Sequence, residues 1–436
     1  MCRSAFFSKD IGDTRRREEC DLARGREETD PGQHPINSYV PSVITDILIA
    51  AIFLSLALQY WSHRGIVGLW PILFDRAVLG YGDPWYFLTS AFLWLQGLFY
   101  FRVVYAKCVA FCDETAGSNV ELSPVAMWVR PVFAGYGVTM AVFLLFQYIY
   151  HIPEGWAGAG FQSPFEDISS FGSIAVTLFI FTVATLWTAK SYKLTLDILG
   201  GVSLLAMVVA SWSRATWLAG SVFLLLIAVF RLPRIWTIAL ILGAVSTVVI
   251  INANSNRPSW LSQPYLARLV TLARLENPAN KDSDRVNLYK KAARMIRQRP
   301  LVGHGIGSFY LTSLNYAQPG DPYATLPDFA HNTFLQIAAE QGVPIAALFT
   351  GLITIVLCRG FRNWHRRAAK GPQSSAAALR ELGVSLALGA YLQTQMTANS
   401  LNVYVSNQFF FWFLLAAILA LSANEQDPEA KSRALA

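Results

Sequence analysis

The sequence predicts an all-α fold, a polytopic transmembrane helical bundle of about 10–12 spans with one large extracytoplasmic helical loop. Three observations predict it. Of the 436 residues 54% are hydrophobic and only 14% charged, and the mean hydropathy is +0.37, well to the apolar side of a soluble domain. The apolar residues gather in runs of about 20, the length that crosses a hydrocarbon core. Lys and Arg collect in alternate short loops, as in chains that cross a membrane repeatedly.

Residues 1–40 are polar and mixed in charge, with the cluster Arg15-Arg16-Arg17-Glu18-Glu19; they read as a solvated cytoplasmic tail without a cleavable signal peptide. Transmembrane helices fill 41–252, with runs at 43–60, 85–106, 131–150, 168–189, 193–211, 215–230 and 234–251. The segment Arg64 to Gly80, interrupted by Pro71 and carrying Asp75 and Arg76, reads as re-entrant or as a short pair. A polar interval, 253–328, forms the loop. Further runs at 343–358, 380–398 and 404–422 place the C-terminal spans within 329–423, and 424–436 is a second cytoplasmic tail.

Orientation follows from the segment Arg359 to Lys370, which carries Arg359, Arg362, Arg366, Arg367 and Lys370 and no acid. That is a cytoplasmic loop. Alternation then puts Lys190/Lys193 and Arg231/Arg234 inside, and 151–167, which has Glu154, Glu166 and Asp167 but no Lys or Arg, outside. The loop 253–328, Arg214 and His331 fall on the outer face. That loop holds ten bases against five acids, which calls for an anionic partner. Within it, Asp282 to Arg299 reads as an amphipathic helix with Val286, Tyr289, Ala293 and Ile296 as its apolar stripe, while Lys290, Lys291, Arg294 and Arg297 project elsewhere. Such a helix either rests on anionic headgroups or faces a substrate.

His331 is the most distinctive residue. Pro327 stops any preceding helix and Asp328 is a good N-cap, so the run from Asp328 to Gly342 is expected to open a helix with His331 in its first turn. The positive end of the helix dipole disfavours imidazolium, and a neutral histidine can take a proton from a hydroxyl. The alternative is a satisfied structural histidine. Glu340 lies nine positions on and on the opposite face, so it is a separate accessory candidate.

Arg214 in Ser211-Trp212-Ser213-Arg214 and Arg285 in Asp284-Arg285 fall on the same side as His331. An arginine at a span end can be a plain interfacial anchor. Two guanidinium groups beside a neutral base can instead grip phosphate oxygens and stabilise a departing diphosphate without a metal. The turn Gly303-x-Gly305-x-Gly307 is either a tight turn or a backbone nest for phosphate. It is no nucleotide fingerprint, and no Walker lysine motif occurs. The cysteines Cys2, Cys20, Cys108, Cys112 and Cys358 are scattered, with no second pair to make a zinc site. No cofactor, no metal and no nucleic-acid partner is expected.

These residues together resemble the O-antigen ligase family, bacterial polytopic glycosyltransferases that include O-antigen polymerases and protein O-oligosaccharyltransferases. The resemblance rests on Ser213-Arg214 heading an apolar span, on Asp284-Arg285 opening the loop helix, on Pro300-Leu301-Val302-Gly303-His304-Gly305-Ile306-Gly307-Ser308-Phe309, and on His331-Asn332-x-x-Leu335 running on to Glu340-x-Gly342. It covers about 200–360. It implies that Arg214 and Arg285 hold the diphosphate of an undecaprenyl-diphosphate-linked glycan and that His331 activates an acceptor hydroxyl on a glycan or lipid A-core. The transfer would be inverting and metal-independent, on the periplasmic side of the bacterial inner membrane. His304, Asn332 and Glu340 are possible accessory residues. The sequence departs from the family at His304, where a small or aliphatic residue is usual, and at Pro344 and Ala346, where a second glycine is common. Ligation and polymerisation both fit. A polysaccharide flippase or exporter would instead show repeated halves and charges spread through several spans.

Overall fold

The computed structural model describes residues 36–63, 86–115, 135–142, 168–185, 191–211, 213–231, 281–318, 328–369, 375–397, 400–403 and 405–423, with a few further isolated positions. The expected spans at 131–150 and 234–251 lie largely outside these residues, as do the segment 64–80 and most of both tails. The chain divides after Val40, and the unit before it is described only in its last helical residues.

All regular structure among the described residues is helical. The N-terminal helices are α1 (Ile36–His63), α2 (Tyr86–Thr115), α3 (Ile168–Thr185), α4 (Ser191–Ala210) and α5 (Arg214–Arg231). They are followed by α6 (Lys281–Gln298), the single turn α7 (Phe309–Thr312) and a 3-10 turn at Ser313–Tyr316. The C-terminal part comprises α8 (Thr333–Gln341), α9 (Val343–Ala369), α10 (Ser375–Gln395), the short α11 (Ser400–Val403) and α12 (Val405–Ala423). Two described helices, Phe87–Lys107 and Val343–Ala369, are long and apolar enough to cross a membrane, and shorter apolar helices lie at Val43–Leu58, Phe171–Ala184, Ile198–Ala210, Arg214–Phe230 and Asn407–Leu421. Several carry large apolar side chains outward as well as inward, among them Leu54, Phe92 and Val202, each more than 60% exposed. A helix that is apolar all round suits hydrocarbon surroundings.

The core is built mainly by α2, α3, α9, α10 and α12, joined by residues of α1, α4, α5 and α8. Its centre is Trp412, fully buried, which Trp94 and Phe349 meet edge-on. The indole fits because Gly97 on α2 has no Cβ, where one would collide with the ring; small residues let helix axes approach in this way. Some polar side chains inside the bundle are paired across it. Tyr391 on α10 donates to Asn407 Oδ1 on α12 at 2.9 Å, and Arg367 on α9 meets Glu381 on α10 at 2.9 Å. Asp46 on α1 and Arg102 on α2 form an ion pair.

Helices α9 and α10 run antiparallel, joined through 370–374, with Gly360 packed on Ser385. Helix α5 follows α9 in direction. Its Phe230 meets Trp364 edge-on with ring centroids 5.0 Å apart, towards the end that bears the 370–374 connection, and its Phe223 packs on Gly389 farther along. The start of α5 therefore lies at the same end of the bundle as the start of α9 and the finish of α10. Helix α6 and the turn from 299 to 316 cover that end.

Two expectations are corrected here. The stripe Val286, Tyr289, Ala293 and Ile296 is not the buried face of α6. Val286 is exposed, and the residues turned inward are Asn287, Leu288, Lys291, Ala292 and Met295. The reason is tertiary: α6 packs on α8, where Ala292 and Met295 join Phe309, Ala330 and Ala339 in a small second core, and Lys291 is carried inside with them. The second correction concerns α8. Its N-cap is Asn332, whose side chain accepts from Leu335 N–H at 3.0 Å, and not Asp328. His331 thus precedes the helix, with φ of 47°, and is the only non-glycine residue at positive φ among the described residues.

Candidate active site

The glycine turn is explained by α8. The last carbonyls of a helix lack intrahelical donors, and here the turn supplies them. His304 N–H donates to Ala339 O at 3.0 Å and Gly305 N–H to Glu340 O at 2.6 Å, while Val343 N–H returns to Pro300 O at 2.8 Å. Gly303, Gly305, Gly307 and Gly342 all adopt positive φ. A Cβ on Gly303 would strike the Glu340 carbonyl, and one on Gly342 the Leu301 carbonyl, so glycine is required at both for steric as well as torsional reasons.

The turn also receives the Glu340 side chain. Gly307 N–H donates to Oε2 at 2.8 Å, Phe309 N–H to Oε1 at 3.2 Å and Gln336 Nε2 to Oε1 at 3.0 Å. Burial pushes this carboxyl up, the three donors pull it back, and its pKa lies at about 7. The backbone donors that could have formed a phosphate nest are therefore directed at the protein's own carboxylate and carbonyls. The tight-turn reading describes this segment.

His304 belongs to the same cap. Its Nε2 is 3.1 Å from Met295 O and 3.4 Å from the Tyr316 hydroxyl. Burial, aided by the charge of Arg299, lowers its pKa against the opposing Met295 hydrogen bond, which favours the neutral ring.

His331 stands on the other side of α8's start. Its Nε2 is 3.2 Å from Asp328 Oδ2, with the two side chains 34% and 36% exposed, so both remain open to an external molecule. Asp328 Oδ1 accepts from Phe329 N–H at 2.7 Å. Burial alone would raise the Asp328 pKa, but the His331 hydrogen bond and charge, the Phe329 N–H and the charge of Lys291 together hold it below the usual value. Lys291, from the inner face of α6, is fully buried.

The finish of α10 draws three elements to this point. The Met396 carbonyl accepts from Asn332 Nδ2 at 3.1 Å and from the Tyr289 hydroxyl at 3.4 Å. Thr333 Oγ1 donates to Gln395 Oε1 at 3.2 Å. Tyr289 is one helical turn beyond Arg285 on α6. Burial raises the phenol's pKa and the Arg285 charge offsets part of that. Arg285 and His331 are thus linked through two side chains that share one carbonyl.

Arg214 is the first residue of α5 and half-buried. Ser213 Oγ accepts from Thr216 N–H at 3.3 Å as the helix begins, and Trp217 Nε1 donates to Val208 O at 2.8 Å, tying the turn to α4. From the Phe223–Gly389 contact, Arg214 is nine residues along α5, about 13.5 Å, and Gln395 is six residues along α10, about 9 Å, in the same direction. All of Arg214, Arg285 and His331 thus occupy one end of the bundle.

Sequence reasoning missed Asp328 as a partner of His331 and Lys291 as a buried cation behind it. The spacing Asp328-x-x-His331 was a visible signal. The burial of Lys291 had none, because a lysine on an apolar face weakens the pattern that would reveal that face.

No curated protein matches the chain. Residues 199–350, which include Arg214, Arg285, His304, Asp328, His331, Asn332 and Glu340, match the family model described as O-antigen ligase. That family comprises membrane-integral enzymes that transfer or polymerise glycans, and over residues 199–350 the chain is similar to it.

Proposed function

We propose that the protein is a multi-pass enzyme of the bacterial inner membrane that transfers a glycan from an undecaprenyl-diphosphate donor to an acceptor hydroxyl, with its active site on the periplasmic side. The observation that carries this reading is the meeting at the Met396 carbonyl. It ties Tyr289, and hence Arg285, to Asn332 beside His331, at the end of the bundle where α5 begins with Arg214.

In this mechanism Arg214 and Arg285 grip the donor diphosphate, each charge-assisted hydrogen bond contributing about 1.5–3 kcal/mol. They take up the negative charge that grows on the leaving phosphate oxygen, the task a metal performs in other transferases. His331 accepts the acceptor's hydroxyl proton as its oxygen bonds to the anomeric carbon from the face opposite the diphosphate, which inverts the configuration. The same step serves a lipid A-core acceptor in ligation and a sugar acceptor in polymerisation.

The test is a reconstitution with a polyprenyl-diphosphate-linked oligosaccharide and an oligosaccharide acceptor. His331→Ala lowers turnover by about 10²–10⁴-fold, the usual contribution of a general base, while the variant still binds the donor and inserts normally. Full turnover in His331→Ala removes the mechanism.

A further inference from the structure

The carboxylate of Asp328 and the ring of His331 are brought together by constraints that local helix formation does not need. His331 adopts φ of 47°, a left-handed conformation uncommon outside glycine and asparagine. It is held there from both sides. Ala330 before it is fully buried in the small core under α6. Asn332 after it is committed twice, accepting from Leu335 N–H at 3.0 Å and donating to Met396 O at 3.1 Å. This backbone turn directs the imidazole back to Asp328, giving the 3.2 Å contact between Nε2 and Oδ2. The second carboxylate oxygen is fixed by Phe329 N–H at 2.7 Å, so the carboxylate cannot rotate away without losing a hydrogen bond.

Behind the pair stands Lys291, a fully buried ammonium whose charge acts on Asp328. Burying a lysine costs several kcal/mol unless it is compensated, and a neighbouring carboxylate provides compensation. Among the described residues, the groups that reach this point from neighbouring elements are neutral: Tyr289 comes from α6, with Arg285 acting on it, Tyr310 reaches Phe329 from α7 with ring centroids 5.1 Å apart, and Gln395 and Met396 end α10. Glu340 on α8 is engaged by the glycine turn.

We infer that Asp328 is a positioning residue for His331: it accepts the Nε2 proton, fixes the ring in that tautomer and leaves Nδ1 as the nitrogen that takes the acceptor's proton, with Lys291 as the buried cation behind it. This deepens the general-base reading of His331 and rests on it. In the transfer step the hydroxyl proton moves to Nδ1 while the acceptor oxygen bonds to the anomeric carbon. The bond from that carbon to the phosphate oxygen breaks, and its electron pair leaves on the diphosphate. The imidazolium so formed lies against the Asp328 carboxylate. It returns to neutrality by releasing the Nδ1 proton to water or to the departing diphosphate, while Nε2 keeps its proton throughout. Without Asp328 the ring is free to turn over or to adopt the other tautomer, and its protonated form loses the carboxylate that lies against it.

The test uses the full-length protein in lipid vesicles with its six histidines labelled with nitrogen-15. His331→Gln identifies the His331 signals by their loss. Magic-angle-spinning spectra of the unmodified chain are expected to show neutral His331 in the Nε2–H form. In Asp328→Asn that preference is lost, whereas Asp328→Glu retains most of it. The His304 signals report on the fold and stay in place in each variant. In the transfer assay Asp328→Asn lowers kcat by about 10²-fold with little change in donor KM. A His331 ring in the Nδ1–H form, or a tautomer unmoved in Asp328→Asn, overturns the assignment. Failure of the two readings is distinguishable: an active His331→Ala sinks the general base itself, whereas an inactive His331→Ala beside an Asp328→Asn variant of unchanged rate and tautomer sinks only the role of Asp328.

Discussion

In the proposed mechanism Arg214 and Arg285 act by shape as well as charge. A guanidinium presents a planar fork that matches two phosphate oxygens, and an ammonium does not. Arg214→Lys and Arg285→Lys are therefore each expected to lose most transfer activity with the charge retained, read as a drop in kcat/KM for the donor. Lysine variants of near-normal activity would return both residues to the role of interfacial anchors. At this scale the sequence was readable wherever chemistry is local. His331 stood out because a histidine beside an apolar run is unusual, and the two arginines because charge at a span boundary needs a reason. The N-cap was misread because Pro327-Asp328 is as good a helix signal as Asn332. The choice between them was made by the distant Met396 carbonyl, which fixes Asn332.

Helix α8 and the glycine turn act as one element. Glu340 is joined to Gly307 across 33 positions of sequence, which no periodicity can reveal. Its carboxyl has a higher pKa folded, about 7, than the 4.5 of an unperturbed glutamate, so the folded state holds the proton more tightly. The stabilisation from this group is complete below about pH 4.5 and is lost as pH rises through about 7. Thermal unfolding of the detergent-purified protein should show the corresponding fall in Tm across that window. Glu340→Gln should remove this dependence and also lower Tm. The amide turns an N–H towards one of three donors and leaves it unsatisfied, at a cost of about 1–3 kcal/mol. A Tm that is unaffected by the substitution would mean that the carboxylate does not hold the cap. The same lesson applies to α6. Its limits were legible from local pattern, but its inward face was set by α8, against the polarity of Lys291 and Asn287.

Among the described residues, eight of the apolar runs expected from hydropathy fall on α1, α2, α3, α4, α5, α9, α10 and α12, although α1, α2 and α9 extend well past their runs. Burial in hydrocarbon needs only length and apolarity, which a sequence carries plainly. How the helices neighbour one another was not legible, because Gly97 against Trp412 or Tyr391 against Asn407 is specified by shape and polar pairing between distant segments. The proposed orientation is tested in a cysteine-free background. Cysteines replacing Gln298 and Asn315, both exposed on the covering loop, should react with a membrane-impermeant thiol reagent in intact spheroplasts, and one replacing Arg366 should react only after permeabilisation. The reverse pattern would put the site in the cytoplasm.

The interlock of the glycine turn with α8 fixes the length of the turn. Between Gly303 and Phe309 successive backbone groups meet designated partners on α8, so a single inserted residue there would shift every later partner out of reach. The turn is therefore keyed to α8 by its length, and an insertion within it is expected to uncouple the Glu340 carboxylate from Gly307 and Phe309.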